Sequence, residues 1–187
     1  MQPPRRFAPP PLIKPAAPRP APGALQQRAG GFRVTVGSYM HRGVGSQNLP
    51  PELSGHAFVA IEQPGGRRQA WGFSPAAYQG YDPRRDLPKL TAGVRGRVHA
   101  DDGAFAKPGV RTQSFDVSPA QARAALAKVA EYRTRTPDFS LARRQCSSFA
   151  TDVLRAAEID AFPGAGVRRP QQIYDQMQRP LPPTRRR

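Results

Sequence analysis

Proline placement is the sequence feature that most limits what this chain can fold into. The 187 residues include 23 prolines, which crowd towards the two ends. Residues 1–24 consist mostly of proline, alanine and arginine. Because proline lacks a backbone N–H and has a fixed φ, such a segment supplies few hydrogen-bond donors and no apolar face. We therefore expect residues 1–30 to form an extended, disordered Pro/Arg-rich arm.

The periodic patterns of a folded domain lie between the two Pro/Arg ends. About 130–150 residues are enough for one domain with its own core. We expect this domain at residues 31–162, followed at 163–187 by an extension with a second Pro/Arg tail. Alternation over Phe32–Tyr39 predicts the first strand. The turn signal at 64–66 predicts a β-hairpin whose second arm begins at Arg68.

Further elements follow along the chain. Strands are predicted at Val94–Ala100 and Val110–Val117. Ser118, Pro119 and Gln121 have the spacing of a capping box with proline at the first helical position, so a helix should begin there. Residues 75–92 read as a long loop. Strands and helices in separate blocks predict an α+β domain in which an antiparallel sheet packs against helices.

The segment Arg143–Leu154 contains the only cysteine of the chain, Cys146. Apolar residues recur after it at three- and four-residue steps, which predicts a helix with one buried face and a partly exposed Cys146 in its first turn. Unpaired N–H groups and the helix dipole stabilise a thiolate there, and Arg143 and Arg144 add positive charge. The alternative is a cysteine that only fills the core.

A nucleophilic cysteine needs a base, and the chain offers three histidines. His56 lies at the start of the strand-like run 54–62, which would hold its ring on one face. His41 falls in a loop and is expected to be solvated, while His99 near a strand end reads more readily as structural. Cys146 and His56 are therefore the predicted nucleophile and base.

Two short motifs carry a resemblance to a known family. Gly55-His56-x-Phe58-Val59, followed by Gln145-Cys146-x-x-Phe149-Ala150, resembles the circularly permuted papain-like cysteine enzymes of the NlpC/P60 type. The likeness covers roughly residues 32–160 and implies that 31–162 is a catalytic papain-like domain. It also implies a hydrolase of amide bonds in peptides or peptidoglycan stem peptides. Members of the wider group perform deamidation or acyl transfer, so the acceptor stays open.

The resemblance also implies that the next strand supplies a residue that orients the histidine. A hairpin loop centred on Gly65 places position 74 opposite His56, so Ser74 is the first candidate and Gln69 the second. A register shift of one residue would turn Ser74 to the other face. His99 is a third candidate. Asp101 and Asp102 lack the further ligands that a metal requires, and we expect no cofactor.

The net charge of +16 arises from 29 Lys and Arg against 13 Asp and Glu. Such a charge attracts polyanions, so a basic binding module without enzymatic activity is the competing functional class. Nucleic acid is not the favoured partner, because no basic stretch is interleaved with aromatic residues.

The sequence contains no apolar run of signal-peptide or membrane-spanning length. We expect no membrane span. Together with the Pro/Arg arm and the resemblance, this suggests a bacterial effector or toxin that is cytoplasmic before delivery and is secreted by a non-Sec route. An immunity or inhibitor protein would then be a partner.

Overall fold

The computed structural model describes residues 31–41, 54–77, 85–162 and 168–177. The predicted arm at 1–30 lies outside these residues, and so does most of the predicted extension at 163–187. The expectations for both segments therefore remain predictions.

Six strands form one continuous antiparallel sheet in the order β5-β1-β2-β3-β4-β6. The expected α+β class with an antiparallel sheet is confirmed. The sixth strand, which was not predicted, consists of two residues and extends the sheet beyond β4. The bounds are β1 Phe32–Met40, β2 Gly55–Glu62, β3 Arg68–Pro75, β4 Val94–Ala100, β5 Arg111–Val117 and β6 Asp138–Phe139.

The four α-helices are α1 Leu87–Ala92, α2 Pro119–Arg135, α3 Cys146–Ala156 and α4 Pro170–Gln176, and a 3-10 helix spans Asp102–Ala106. Helix α1 corrects the prediction of a loop over 75–92. Pro88 misled that prediction, because proline is tolerated in the first turn of a helix, where its missing N–H has no partner to lose. Leu90 anchors the short helix by burying its side chain.

The predicted capping box at the start of α2 is present. Gln121 N–H donates to Ser118 Oγ at 3.2 Å, and Ser118 N–H donates to Gln121 Oε1 at 3.0 Å. The helix ends at Thr136, which adopts a left-handed φ of 42° just before Pro137. Local sequence therefore defines both ends of α2, and the helix begins where the capping box predicted.

The two faces of the sheet are covered differently. Because side chains alternate along a strand, β1, β2 and β3 each contribute to two separate clusters. The main core lies on the face covered by α2 and α3, and α4 adds Ile173 to it. On the opposite face, Ala104 of the 3-10 helix caps a smaller cluster, whose other buried members are Tyr39, Phe58, Ala60 and Ala70.

Helix α3 packs its apolar stripe fully into the main core. Phe149, Ala150, Val153 and Leu154 are each at most 1% exposed.

Among the described residues, no helix is long and apolar enough to cross a bilayer.

Candidate active site

Three side chains from separate elements meet at one place in the described chain. His56 is the second residue of β2, Asp101 directly follows β4, and Cys146 is the first residue of α3. The ring of His56 interacts with both other side chains. Residues 45 and 90 positions apart are thus assembled by the order of the strands and by the packing of α3 on the sheet.

The bond between His56 and Asp101 is short and shielded from solvent. His56 Nε2 lies 2.7 Å from Asp101 Oδ2, and the two side chains are only 14% and 15% exposed. An ionised carboxylate can only accept, so Nε2–H is the donor. Asp101 is itself anchored because its backbone N–H donates to the carbonyl of Ala70 at 2.9 Å. The carboxylate therefore holds the imidazole in one orientation.

Gly72 leaves the space in which this pair forms. It lies on β3, between the strand of His56 and the strand that leads to Asp101. A Cβ at position 72 would lie 2.5 Å from Asp101 Oδ2, 2.8 Å from His56 Nε2 and 2.9 Å from His99 Cε1. Distances below 3.0 Å force some atom to move. Glycine at position 72 therefore leaves open the space that the His56–Asp101 pair occupies.

Cys146 is the second partner of His56. Burial of the ring lowers the pKa of His56, but hydrogen bonds and charge interactions with Asp101 and Cys146 outweigh it and raise the pKa to about 10. His56 is thus protonated at neutral pH. Because Nε2 faces Asp101, Nδ1 is the ring nitrogen left for the sulfur. The arrangement places a positive charge beside the thiol.

The surroundings of Cys146 correct one expectation. The residue is 5% exposed and belongs to the main core, whereas we expected a partly exposed thiol. Its neighbours are covered as well: the Ser147 hydroxyl donates to the carbonyl of Arg168, and Gln145 Nε2 donates to the carbonyl of Leu141 at 3.2 Å. Truncating the buried Cys146 side chain to alanine should therefore destabilise the fold by about 1 kcal/mol.

The start of α3 also supplies hydrogen-bond donors. The N–H of Phe149 donates to the carbonyl of Gln145 at 3.1 Å, which closes the first turn of the helix. The N–H of Cys146 precedes that turn and has no acceptor within the helix.

Arg143, expected to add charge near the thiol, is exposed and its guanidinium donates to the carbonyl of Ala92 at the end of α1.

The predicted hairpin register is realised, but neither predicted orienting residue reaches His56. Phe58 lies opposite Gly72, and the recorded pairing of β2 with β3 ends there, two residues short of His56. Ser74 pairs with Arg97 of β4 instead, and its hydroxyl donates to the carbonyl of Pro75 at 3.3 Å. Gln69 is exposed and lies opposite Ile61, further along the hairpin from His56.

Asp101 is the residue that sequence reasoning missed. From sequence alone, Asp101 and its neighbour Asp102 indicate at most a metal site, and one that lacks further ligands. A usable signal was its place immediately after a predicted strand that carries His99. What the sequence did not reveal is that β4 pairs with β3, so that the end of β4 is one strand away from the histidine strand β2 and Asp101 reaches His56 across Gly72.

The other two histidines also lie near the site. His99 stacks on His56 with ring centroids 6.1 Å apart and an interplanar angle of 20°. His41, predicted to be solvated, is exposed and meets the Tyr39 ring edge-on at 5.2 Å. Partial burial, followed by the charges of His56 and Lys107, lowers the pKa of His41. Within the described ranges, no group of three or more His, Cys, Asp or Glu side chains could hold a metal ion.

No protein-family model, curated protein or solved structure matches this chain.

Proposed function

We propose that the protein is a cysteine hydrolase of amide bonds, with Cys146 as nucleophile, His56 as base and Asp101 as the residue that orients His56. The observation that carries the proposal is the 2.7 Å bond between His56 Nε2 and Asp101 Oδ2, on a ring that also interacts with Cys146. A nucleophile, a base and a third group that orients the base form the arrangement of covalent acyl-transfer catalysts. A cysteine that only fills the core needs neither partner.

The chemistry follows from the protonation of His56. With the raised pKa of His56, the ring is an imidazolium at neutral pH and stabilises a thiolate at Cys146. The sulfur attacks the carbonyl carbon, a C–S bond forms, and the N–H of Cys146 donates to the developing oxyanion. His56 then gives its proton to the leaving amine as the C–N bond breaks. Water, deprotonated by His56, cleaves the thioester and releases the acid.

The substrate class comes from the resemblance of the two motifs and is supported by the architecture. An antiparallel sheet with a histidine near the start of one strand and a cysteine at the start of a packed helix is what a permuted papain-like domain requires. The substrate we propose is therefore a peptide or a peptidoglycan stem peptide. Delivery as a bacterial effector or toxin, with an immunity protein as partner, belongs to the same proposal.

A labelled-water assay tests the reaction. The native protein is incubated with peptidoglycan fragments and a peptide mixture in ¹⁸O-water, and products are read by mass spectrometry. Hydrolysis places ¹⁸O in a new carboxylate, side-chain deamidation also releases ammonia, and acyl transfer leaves the product unlabelled. We expect labelled cleavage products that fall by roughly 10³-fold or more in Cys146→Ala and His56→Ala. Full activity in a folded Cys146→Ala variant would contradict the proposal.

The net charge of +16 favours a second candidate, a basic module that binds polyanions. Such binding weakens steeply with salt and does not require the thiol. If Cys146→Ala retains both salt-sensitive polyanion binding and the full biological effect, the binding module replaces the enzyme. If Cys146→Ala loses the biological effect but still binds polyanions, the positive charge has only an auxiliary role.

A further inference from the structure

A row of cationic side chains leads along β4 to the site. Side chains two residues apart on a strand share a face, so Arg95 and Arg97 lie on the same face of β4 as His99. That face is the one that carries the His56–Asp101 pair, because a Cβ on Gly72 would approach His56, His99 and Asp101 together. The two arginines are therefore on the same side of the sheet as the ring of His56.

Arg97 also lies close to the ring of His56 along the strands. It pairs with Ser74 across β3 and β4. The ring of His56 lies over Gly72, two residues before Ser74 on β3, because a Cβ at position 72 would lie 2.8 Å from His56 Nε2. Only β3 separates the two strands, so their axes are about 10 Å apart. An extended arginine side chain on β4 is long enough to reach a substrate group that is bound beside the ring.

Both arginines are available for a ligand. Arg95 and Arg97 are exposed, and within the described chain neither takes part in an ion pair. The nearby carboxylates are engaged elsewhere: Asp101 binds His56, and Asp102 Oδ1 accepts from the N–H of Ala70 at 3.0 Å. A planar guanidinium without a partner binds a carboxylate in a bidentate manner.

We propose that Arg97, with Arg95 about 7 Å further along the strand, forms a subsite for a carboxylate of the substrate. The inference rests on the proposed function, and it narrows the substrate to amides that carry a free carboxylate near the scissile bond, such as acidic peptides. The carboxylate positions the substrate, while Cys146 and His56 perform the chemistry.

Two alkylating reagents test this directly, because Cys146 is the only cysteine. Iodoacetate carries a carboxylate and iodoacetamide does not. The rate with iodoacetate divided by the rate with iodoacetamide therefore reports how strongly the site attracts an anion. We expect the ratio in the native protein to exceed that of a free cysteine. Arg97→Gln should lower it by roughly five- to tenfold, while the iodoacetamide rate stays unchanged. Arg97→Lys keeps the positive charge but cannot bind a carboxylate in a bidentate manner, so it should lower the rate ratio less than Arg97→Gln does.

The matched control is Arg123→Gln, which removes the same charge from an exposed position on α2, the helix that covers the other face of the sheet. An equal drop in both variants would reveal a general charge effect and overturn the subsite. Acetate should slow alkylation by iodoacetate. Protection by inorganic phosphate at far lower concentration than acetate would overturn the assignment to a carboxylate.

Failure of the proposed function and failure of the carboxylate subsite give different alkylation results. If Cys146 reacts with both reagents no faster than a free cysteine, the proposed function itself fails. If iodoacetamide reacts rapidly but the ratio is the same in the native protein and in Arg97→Gln, the carboxylate subsite is wrong and the nucleophile stands.

Discussion

At the scale of single residues, His56 is the group on which the site depends. Its side chain is only 14% exposed, its pKa is raised, and its ring interacts with an acid and a thiol. The sequence identified His56 and Cys146 because strand and helix patterns locate a side chain on an element. Asp101 could not be found in that way, since its role comes from a pairing between strands that no local pattern encodes.

The pKa of His56 predicts how stability depends on pH. The pKa is raised from 6.5 to about 10 in the folded protein, so the folded state binds a proton there more tightly than the unfolded state. This stabilisation is fully present below about pH 6.5 and is lost as the pH rises through about 10. Urea unfolding at pH 6, 8 and 10 should show a stability loss that is absent from His56→Ala. Parallel profiles for the two proteins would contradict the assigned pKa.

Asp101→Asn tests the orienting role. Asparagine keeps the size of the side chain but removes the charge that holds Nε2–H, so the ring loses both its preferred orientation and stabilisation of its positive form. We expect turnover to fall by about 10²- to 10⁴-fold, with a lowered pKa of His56 measured by NMR titration. Asp102→Asn is the matched control, because its oxygen serves the Ala70 N–H rather than the histidine. Equal losses of turnover in Asp101→Asn and Asp102→Asn would contradict the orienting role of Asp101.

At the scale of elements, the hairpin and two helices follow from local sequence, while the contacts between distant elements do not. The turn at Gly65 and Gly66 produced the predicted register, and the capping box at Ser118 began α2 where expected. The 3-10 helix at Asp102–Ala106 and the two-residue β6 were missed, since segments so short have no usable periodicity. Burial of Cys146 was missed because it depends on contacts with distant elements, such as the bond from the neighbouring Ser147 hydroxyl to the carbonyl of Arg168.

Gly72→Ala tests whether β3 must leave space for the catalytic pair. The added methyl would lie 2.5 Å from Asp101 Oδ2 and 2.8 Å from His56 Nε2, so the carboxylate and the imidazole must shift from their present positions. We expect a folded protein with a lowered pKa of His56 and strongly reduced turnover. Gly103→Ala is the control, since a Cβ there meets nothing within 4 Å. A normal His56 titration in Gly72→Ala would show that the pair tolerates the methyl group.

At the scale of the whole molecule, the described residues form a sheet that has packed elements on both faces. Helices α2, α3 and α4 cover one face of the sheet and the 3-10 helix caps part of the other, with the first strand beginning at Phe32. Length predicted one domain, the separate blocks of strand and helix patterns predicted its α+β class, and the net charge of +16 predicted attraction to polyanions. The position of the exposed arginines on β4 could be assigned only once the sheet order was known.

Deletion of residues 1–30 should leave the melting temperature almost unchanged. The segment is rich in proline and arginine and can contribute little apolar burial. Calorimetry of the full and shortened chains measures the effect, with catalytic turnover as a second readout. A fall of many degrees would show that the arm packs on the domain.

The central claim is that Cys146 is a nucleophile activated by His56, and its reaction rate with iodoacetamide at neutral pH tests that claim most directly. With one cysteine in the chain, the alkylation signal has a single source. We predict that the native thiol reacts faster than a free cysteine, and that His56→Ala reacts more slowly because the stabilising imidazolium is gone. A native thiol that reacts more slowly than free cysteine, at a rate unaffected by His56→Ala, would contradict the account.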